Sequence, residues 1–184
     1  MKPTKELMTE HRAIELMLDV LDKISNKLDF GEKVDTNDLE SVVDFIKIFA
    51  DKCHHGKEEN LLFPALEKAG IPKESGPIEV MLLDHQEGRG YVEKMAEAVP
   101  GIKKGNEKEA KNFAKNAKNY IQLLRDHIQK EDNILYPLAD AQLDSKQQEE
   151  LKNGFAKVEI EIVGQGKHEE FHRLLETLKN KYLV

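Results

Sequence analysis

The chain has 184 residues, enough for one sizeable hydrophobic core and short for two. Charged residues make up 34% and apolar ones 39%, aromatics only 6%, and Trp is absent, a mix that suits helices better than a β-sandwich or barrel. The net charge of −7, with basic residues dispersed among acids, speaks against nucleic acid and anionic membrane surfaces as partners. A lone cysteine, Cys53, cannot close an internal disulfide, and the N-terminus shows no apolar signal region. No stretch approaches the roughly 18 apolar residues of a membrane span. These features together predict a soluble, cytoplasmic protein.

Apolar residues recur at helical spacing almost throughout. A first helix is predicted from about Thr4, an N-cap candidate, to Asp29, with Leu7, Ile14, Leu18, Leu21, Ile24 and Leu28 on one stripe. Phe30-Gly31 stops it. Asp35 and Thr36 can cap a second helix that carries Leu39, Val42, Val43, Ile46 and Phe49 and ends by Gly70. Pro77 opens a third, expected to close at Val99-Pro100-Gly101. The fourth runs from near Asn106 to Pro137 or a little beyond. A fifth helical region starts near Ser145, is interrupted at Gly164-Gln165-Gly166 and resumes to Tyr182. The expected architecture is all-α: an up-down-up-down four-helix bundle over about residues 4–140, with a C-terminal helical extension over about 145–183, in a single domain.

One segment occurs twice. His54-His55-Gly56-Lys57-Glu58-Glu59-Asn60-Leu61-Leu62-Phe63-Pro64 aligns without gaps to His127-Ile128-Gln129-Lys130-Glu131-Asp132-Asn133-Ile134-Leu135-Tyr136-Pro137. Six of the eleven positions are identical, so chance is a poor explanation. The match continues upstream, where Glu10-His11-Arg12 corresponds to Asp84-His85-Gln86. His11 precedes His54 by 43 residues and His85 precedes His127 by 42, so a whole helical hairpin is duplicated.

His and Glu at i and i+4 lie one turn apart on one helix face. His54 with Glu58, and His127 with Glu131, can therefore aim donors into a common space, joined by His11 and His85 from the other two helices. Two carboxylates buried alone would be very costly, and metal cations would offset their charge. Mixed imidazole and carboxylate ligation suits Fe and Mn, and also Zn, better than Ca or Mg. Six protein ligands exceed what one tetrahedral zinc takes, which favours two metals with open positions.

The pattern His11, His54/Glu58, His85, His127/Glu131, with its trailing LLFP and ILYP, resembles the hemerythrin-like (HHE cation-binding) family over about residues 4–140. The resemblance implies a four-helix bundle around a non-haem di-iron centre, with Mn or Zn as alternative ions. It implies a small diatomic or peroxide ligand: binding or sensing of O₂, NO or peroxide, or iron handling. A di-iron enzyme that reduces peroxide or O₂ is the alternative. Oxygen-carrying members place five histidines and two carboxylates on the irons, two of the histidines on one helix. Here the third helix offers only His85, and Arg89 stands one turn on.

Several residues are read individually. His55 and Glu59 also sit at i,i+4, but His55 aligns with Ile128, which predicts a packing role. Glu15 and Arg89 occupy equivalent repeat positions, which predicts an ion pair between the first and third helices, with Glu15 as an extra ligand the alternative. Cys53 lies about 100° round the helix from His54 and is expected to be a small buried thiol. Asp132 and Asn133 are read as supporting or solvated residues, and Tyr91, Tyr120 and Tyr136 receive no role. His168-Glu169-Glu170-Phe171-His172 matches HExxH, the pattern of zinc peptidases, but a short pattern arises readily by chance. A solvated pair or a cover over the bundle is preferred, with a secondary metal contact from His168 or His172 the alternative.

Overall fold

The computed structural model describes residues 1–184, with six helices and no strand. Helix α1 spans Pro3–Asp29; α2 spans 36–68; α3 spans Pro77–Lys103; α4 spans 107–142; α5 spans 145–163; α6 spans Lys167–Tyr182. Local chemistry sets most ends. The Asp35 side chain accepts from the Asn37 amide at the start of α2, and Asn106 does the same for Lys108 at α4. Asp144 and Gln147 form a reciprocal capping box on α5. Gly70 and Gly105, both at positive φ, follow the ends of α2 and α3.

Two boundaries differ from expectation. Thr4 is not the cap of α1: Pro3 occupies the first turn, and Thr4 Oγ1 instead donates to Asp140 Oδ1 at 2.7 Å, tying the start of α1 to the end of α4. Helix α3 runs through Pro100 to Lys103. Pro100 removes a single amide one turn from the end, and the positive-φ Gly105 supplies the actual stop.

Helices α1 to α4 form a ring in which each packs on its chain neighbours and α4 closes onto α1. Two apolar clusters divide the bundle lengthwise. The larger draws on the end of α1, the start of α2, the end of α3 and the start of α4, including Leu21, Phe45, Met95 and Phe113. The smaller takes the opposite ends: Leu7, Phe63, Met81 and Tyr136. This exchange of ends is what alternating helix directions produce. His11, His54, His85 and His127 lie along each helix between its two apolar contributions, so a polar layer is enclosed from above and below.

Much of the α2 and α4 backbone at this layer is π-helical, over Ile46–His55, Glu58–Leu62 and Glu131–Leu135. Such wide turns are rare and concentrate at functional sites. The C-terminal helices pack on the seam between α1 and α2. Phe171, Leu175 and Leu178 of α6 enter the larger cluster, and Leu151 and Phe155 of α5 the smaller. Gly164 and Gly166, at φ 88° and 83°, turn the chain between them, as their spacing suggested. No helix is long and apolar enough to cross a membrane.

Phe155 is fully buried, whereas Phe30 is 83% exposed. Phe155→Ala is expected to destabilise the protein by about 3–5 kcal/mol through the cavity it leaves, and Phe30→Ala to leave stability nearly unchanged. Urea unfolding followed by circular dichroism measures both.

Candidate metal centre

The enclosed polar layer is a dense group of side chains. His11, His54, His55, His85, His127, Glu58 and Glu131 are all buried, Glu58 and Glu131 completely. Their donor atoms fall into two groups whose members lie within 4.8 Å of one another: His55, Glu58, His85 and His127 in one, and His11, His54 and Glu131 in the other. All six residues expected from the repeat are thus brought together.

The carboxylates link the groups. Glu131 turns Oε1 toward His127 Nε2 and Oε2 toward His11 Nε2, each at 3.1 Å. Glu58 Oε2 stands 3.4 Å from His85 Nε2 and 3.8 Å from His54 Nε2. Each carboxylate faces one histidine from either group, the placement a bridging ligand needs.

His55 is the correction. It is a donor candidate of the first group, its ring stacked 3.9 Å from that of His85, rather than a packing residue. Its alignment with Ile128 is the ground for expecting a packing role. The π-helical turn rotates successive residues by less than an α-helix does, which lets His54 and His55 face the same layer. The available signal was the second i,i+4 pair on α2, discounted because the repeat lacks its counterpart.

The outward Nδ1 of each ring meets a carboxylate. His11 pairs with Asp132 (2.7 Å), His54 with Glu10 (2.8 Å), His85 with Glu59 (2.7 Å) and His127 with Asp84 (3.1 Å). His55 Nδ1 is 3.5 Å from Asp51, a looser contact. A carboxylate on Nδ1 orients the ring and leaves Nε2 facing inward as the donor. These supports obey the repeat, since Glu10 matches Asp84 and Glu59 matches Asp132; the alignment contained that signal for Glu10, Asp84 and Glu59, which sequence reasoning left unassigned. Lysines at matching positions complete the shell. Lys57 Nζ donates to Glu10 at 2.6 Å, and Lys130 Nζ to Asp84 at 2.6 Å.

Arg89 and Glu15 do not pair. Arg89 bonds Asp51 Oδ1 (2.9 Å) and Glu59 Oε1 (2.8 Å), while Glu15 pairs with Arg12 and supplies no donor to either group. Asp51 and Glu59 are the carboxylates beside His55 and His85, so they offer Arg89 two acceptors on the adjacent helix. A groove of about 520 Å³ between α2 and α3 opens here, with His55, His85 and Arg89 among its lining residues.

Burial opposes protonation of His11 and His127. Asp132, Glu131 and Glu58 nevertheless raise His11 to about 9, and the Glu131 charge with Asp84 raises His127 to about 10. His55, fully enclosed and beside His85, is pushed well below the ordinary histidine value. Burial would raise Glu131, but His127 and His11 hold it well below the usual carboxylate range. Burial, with Glu131 and Glu58 adjacent, raises the Tyr136 phenol well above its ordinary value.

The donor set tests whether a metal suits the layer. Seven buried side-chain polar atoms in the chain make no hydrogen bond, and six are here: His54 Nε2, both His55 nitrogens, Glu58 Oε2 and both Glu131 oxygens, the last two meeting His127 and His11 at 3.1 Å as ion pairs only. Such atoms are rare because each costs about 1–3 kcal/mol. Their convergence from two helices fits cations as the missing partners. The seventh, His168 Nε2, lies apart. His168 approaches Glu10 and Glu159, and its ring packs 5.2 Å from Phe49 and 4.8 Å from His172, while Glu169 is exposed. Cys53 is buried, and its surroundings push the thiol up to about 12.

A helical bundle with an enclosed histidine and carboxylate layer defines a metal-cation-binding protein. The Hemerythrin HHE cation binding domain matches residues 2–139, and the chain belongs to that family. Similar proteins include the uncharacterized proteins Rv1995 of Mycobacterium tuberculosis and Mb2018 of Mycobacterium bovis. Each is 24% identical over 133 residues, 72% of this chain and 51% of its own length. The chain therefore spans about half the length of the curated relatives it matches.

Without metal, protonated His11 and His127 stabilise the fold below the unfolded histidine value of about 6.5. That contribution is expected to fade as pH rises through about 9 to 10, lowering the melting temperature of the metal-free protein over that range. Metal must also displace these protons, so loading at neutral pH is expected to acidify a weakly buffered solution, as a pH electrode will show.

Proposed function

We propose that this chain holds two metal ions, iron first among them, and uses them to bind or sense O₂, NO or peroxide, or to handle iron. The reading is carried by the six unpartnered donor atoms that converge on two adjacent groups. His55, His85 and His127 would hold one ion and His11 and His54 the other, with Glu58 and Glu131 shared. Imidazole and carboxylate donors suit Fe and Mn, and admit Zn. Bound iron would supply reversible small-ligand binding and one-electron chemistry.

The protein's own groups set the conditions. The two apolar clusters exclude water from above and below, which strengthens every charge interaction in the layer. Glu10, Asp84, Glu59 and Asp132 hold four rings in place before an ion arrives. The groove beside His55 and His85 offers a small ligand a route, with Arg89 spanning Asp51 and Glu59 alongside it. The buried Cys53 suits work in a reducing, cytoplasmic setting.

Metal analysis with visible spectroscopy tests the reading. Aerobically iron-loaded protein is expected to carry two irons per chain and to change its spectrum on adding nitric oxide, azide or peroxide. Far less than one iron per chain, with no such change, overturns it. Glu58→Ala with Glu131→Ala is expected to abolish stable loading. Asp84→Asn, which weakens the hold on His127, is expected to lower metal affinity by about 10–100-fold in a competition titration with a chelator.

A further inference from the structure

The two halves of the repeat build the layer almost symmetrically and depart from symmetry at two aligned positions that reach it. The first is His55 against Ile128, which gives one donor group its third histidine. The second is Tyr136 against Phe63. Both rings are fully or almost fully buried and do the same packing: Phe63 stacks on His85 with centroids 6.0 Å apart, and Tyr136 stacks on His11 at 5.4 Å. His85 and His11 are themselves repeat partners. The pair of aromatics therefore differs by one oxygen atom, and packing alone does not call for it.

That oxygen reaches the group with fewer histidines. Tyr136 Oη stands 3.3 Å from His11 Nε2 and donates to Glu58 Oε1 at 2.6 Å. His11 Nε2 is the inward nitrogen, because Asp132 occupies Nδ1, and Glu131 Oε2 lies 3.1 Å from the same atom. Oη thus keeps the spacing to His11 and Glu58 that donors around one ion keep to each other.

We propose that Tyr136 Oη is a metal ligand of the His11–His54–Glu131 group, so that each half of the duplication adds one donor where the other half has none. The inference rests on the metal-centre reading above. In the metal-free chain the phenolic proton lies between Oη and Glu58. On loading, the O–H bond breaks, the proton leaves to solvent, and the cation takes its place against Oη, as a cation does with other acidic ligands.

The test uses the full chain loaded with ferric iron. A ferric ion bound by a phenolate gives a visible charge-transfer absorption, and excitation into it enhances tyrosine ring vibrations in the Raman spectrum. The wild-type protein is expected to show both, with the vibrations shifting when the chain is made with ring-deuterated tyrosine. Tyr136→Phe is expected to lose both while retaining the wild-type iron content. Tyr91→Phe, Tyr120→Phe and Tyr182→Phe are expected to keep them, which assigns the ligand even if Tyr136→Phe folds poorly. Iron bound without tyrosine vibrations, or vibrations that survive Tyr136→Phe, overturns this assignment and leaves the metal centre standing. A chain that binds no iron overturns both.

Discussion

The structure depends on one constraint: five imidazoles and two carboxylates are buried together in one layer of the bundle. Burying charge in a dry interior is expensive unless it is paired and hydrogen-bonded. The protein meets this with carboxylates on the outward side of the rings, drawn from other helices for His11, His54, His85 and His127. The helices are thereby tied across the bundle at the layer where apolar contacts are missing. What stays without a hydrogen bond is His54 Nε2, both His55 nitrogens, Glu58 Oε2 and the two Glu131 oxygens, and that unsatisfied polarity is what a cation would answer.

The outer shell is neutralised in its turn, and here the two halves part. Lys130 is half-exposed and serves Asp84. Lys57 is wholly buried and donates to Glu6, Glu10 and Glu159, with the Phe155 ring 5.4 Å below its ammonium. The carboxylates around Lys57 push its pKa up despite burial. Glu159 and Phe155 belong to α5, so the C-terminal helices cover one edge of the polar layer as well as extending the core. A continuous chain runs from Glu159 through Lys57 and Glu10 to His54. The neighbouring edge, between α2 and α3, has no such cover, and there the groove reaches His55 and His85.

Most of the fold was legible in the sequence. Helix periodicity, capping residues and glycine stops located all the main helices, and the break at Gly164–Gly166 lay where its spacing indicated. That the six repeated residues would converge was legible because duplication registers them against each other: His54 with His127, Glu58 with Glu131. The same register contained Glu10 with Asp84 and Glu59 with Asp132, whose supporting role needed a structure to be seen. Arg89 misled, since its repeat partner Glu15 lies on α1 while its acceptors lie on α2. Register tells which residues are equivalent and says nothing about which helices face each other.

The sequence by itself determined the helical class and the duplicated hairpin, and it singled out six candidate donors, because these follow from spacing along one chain. Only the tertiary structure decided what breaks the duplication. His55 turns inward because the α2 backbone widens into a π-helix, a departure that period-based reasoning does not contain. Tyr136 reaches the layer because its ring repeats the Phe63 stack against a histidine of another helix. The first depends on a backbone widening within α2 and the second on a contact between helices, and spacing along the chain specifies neither.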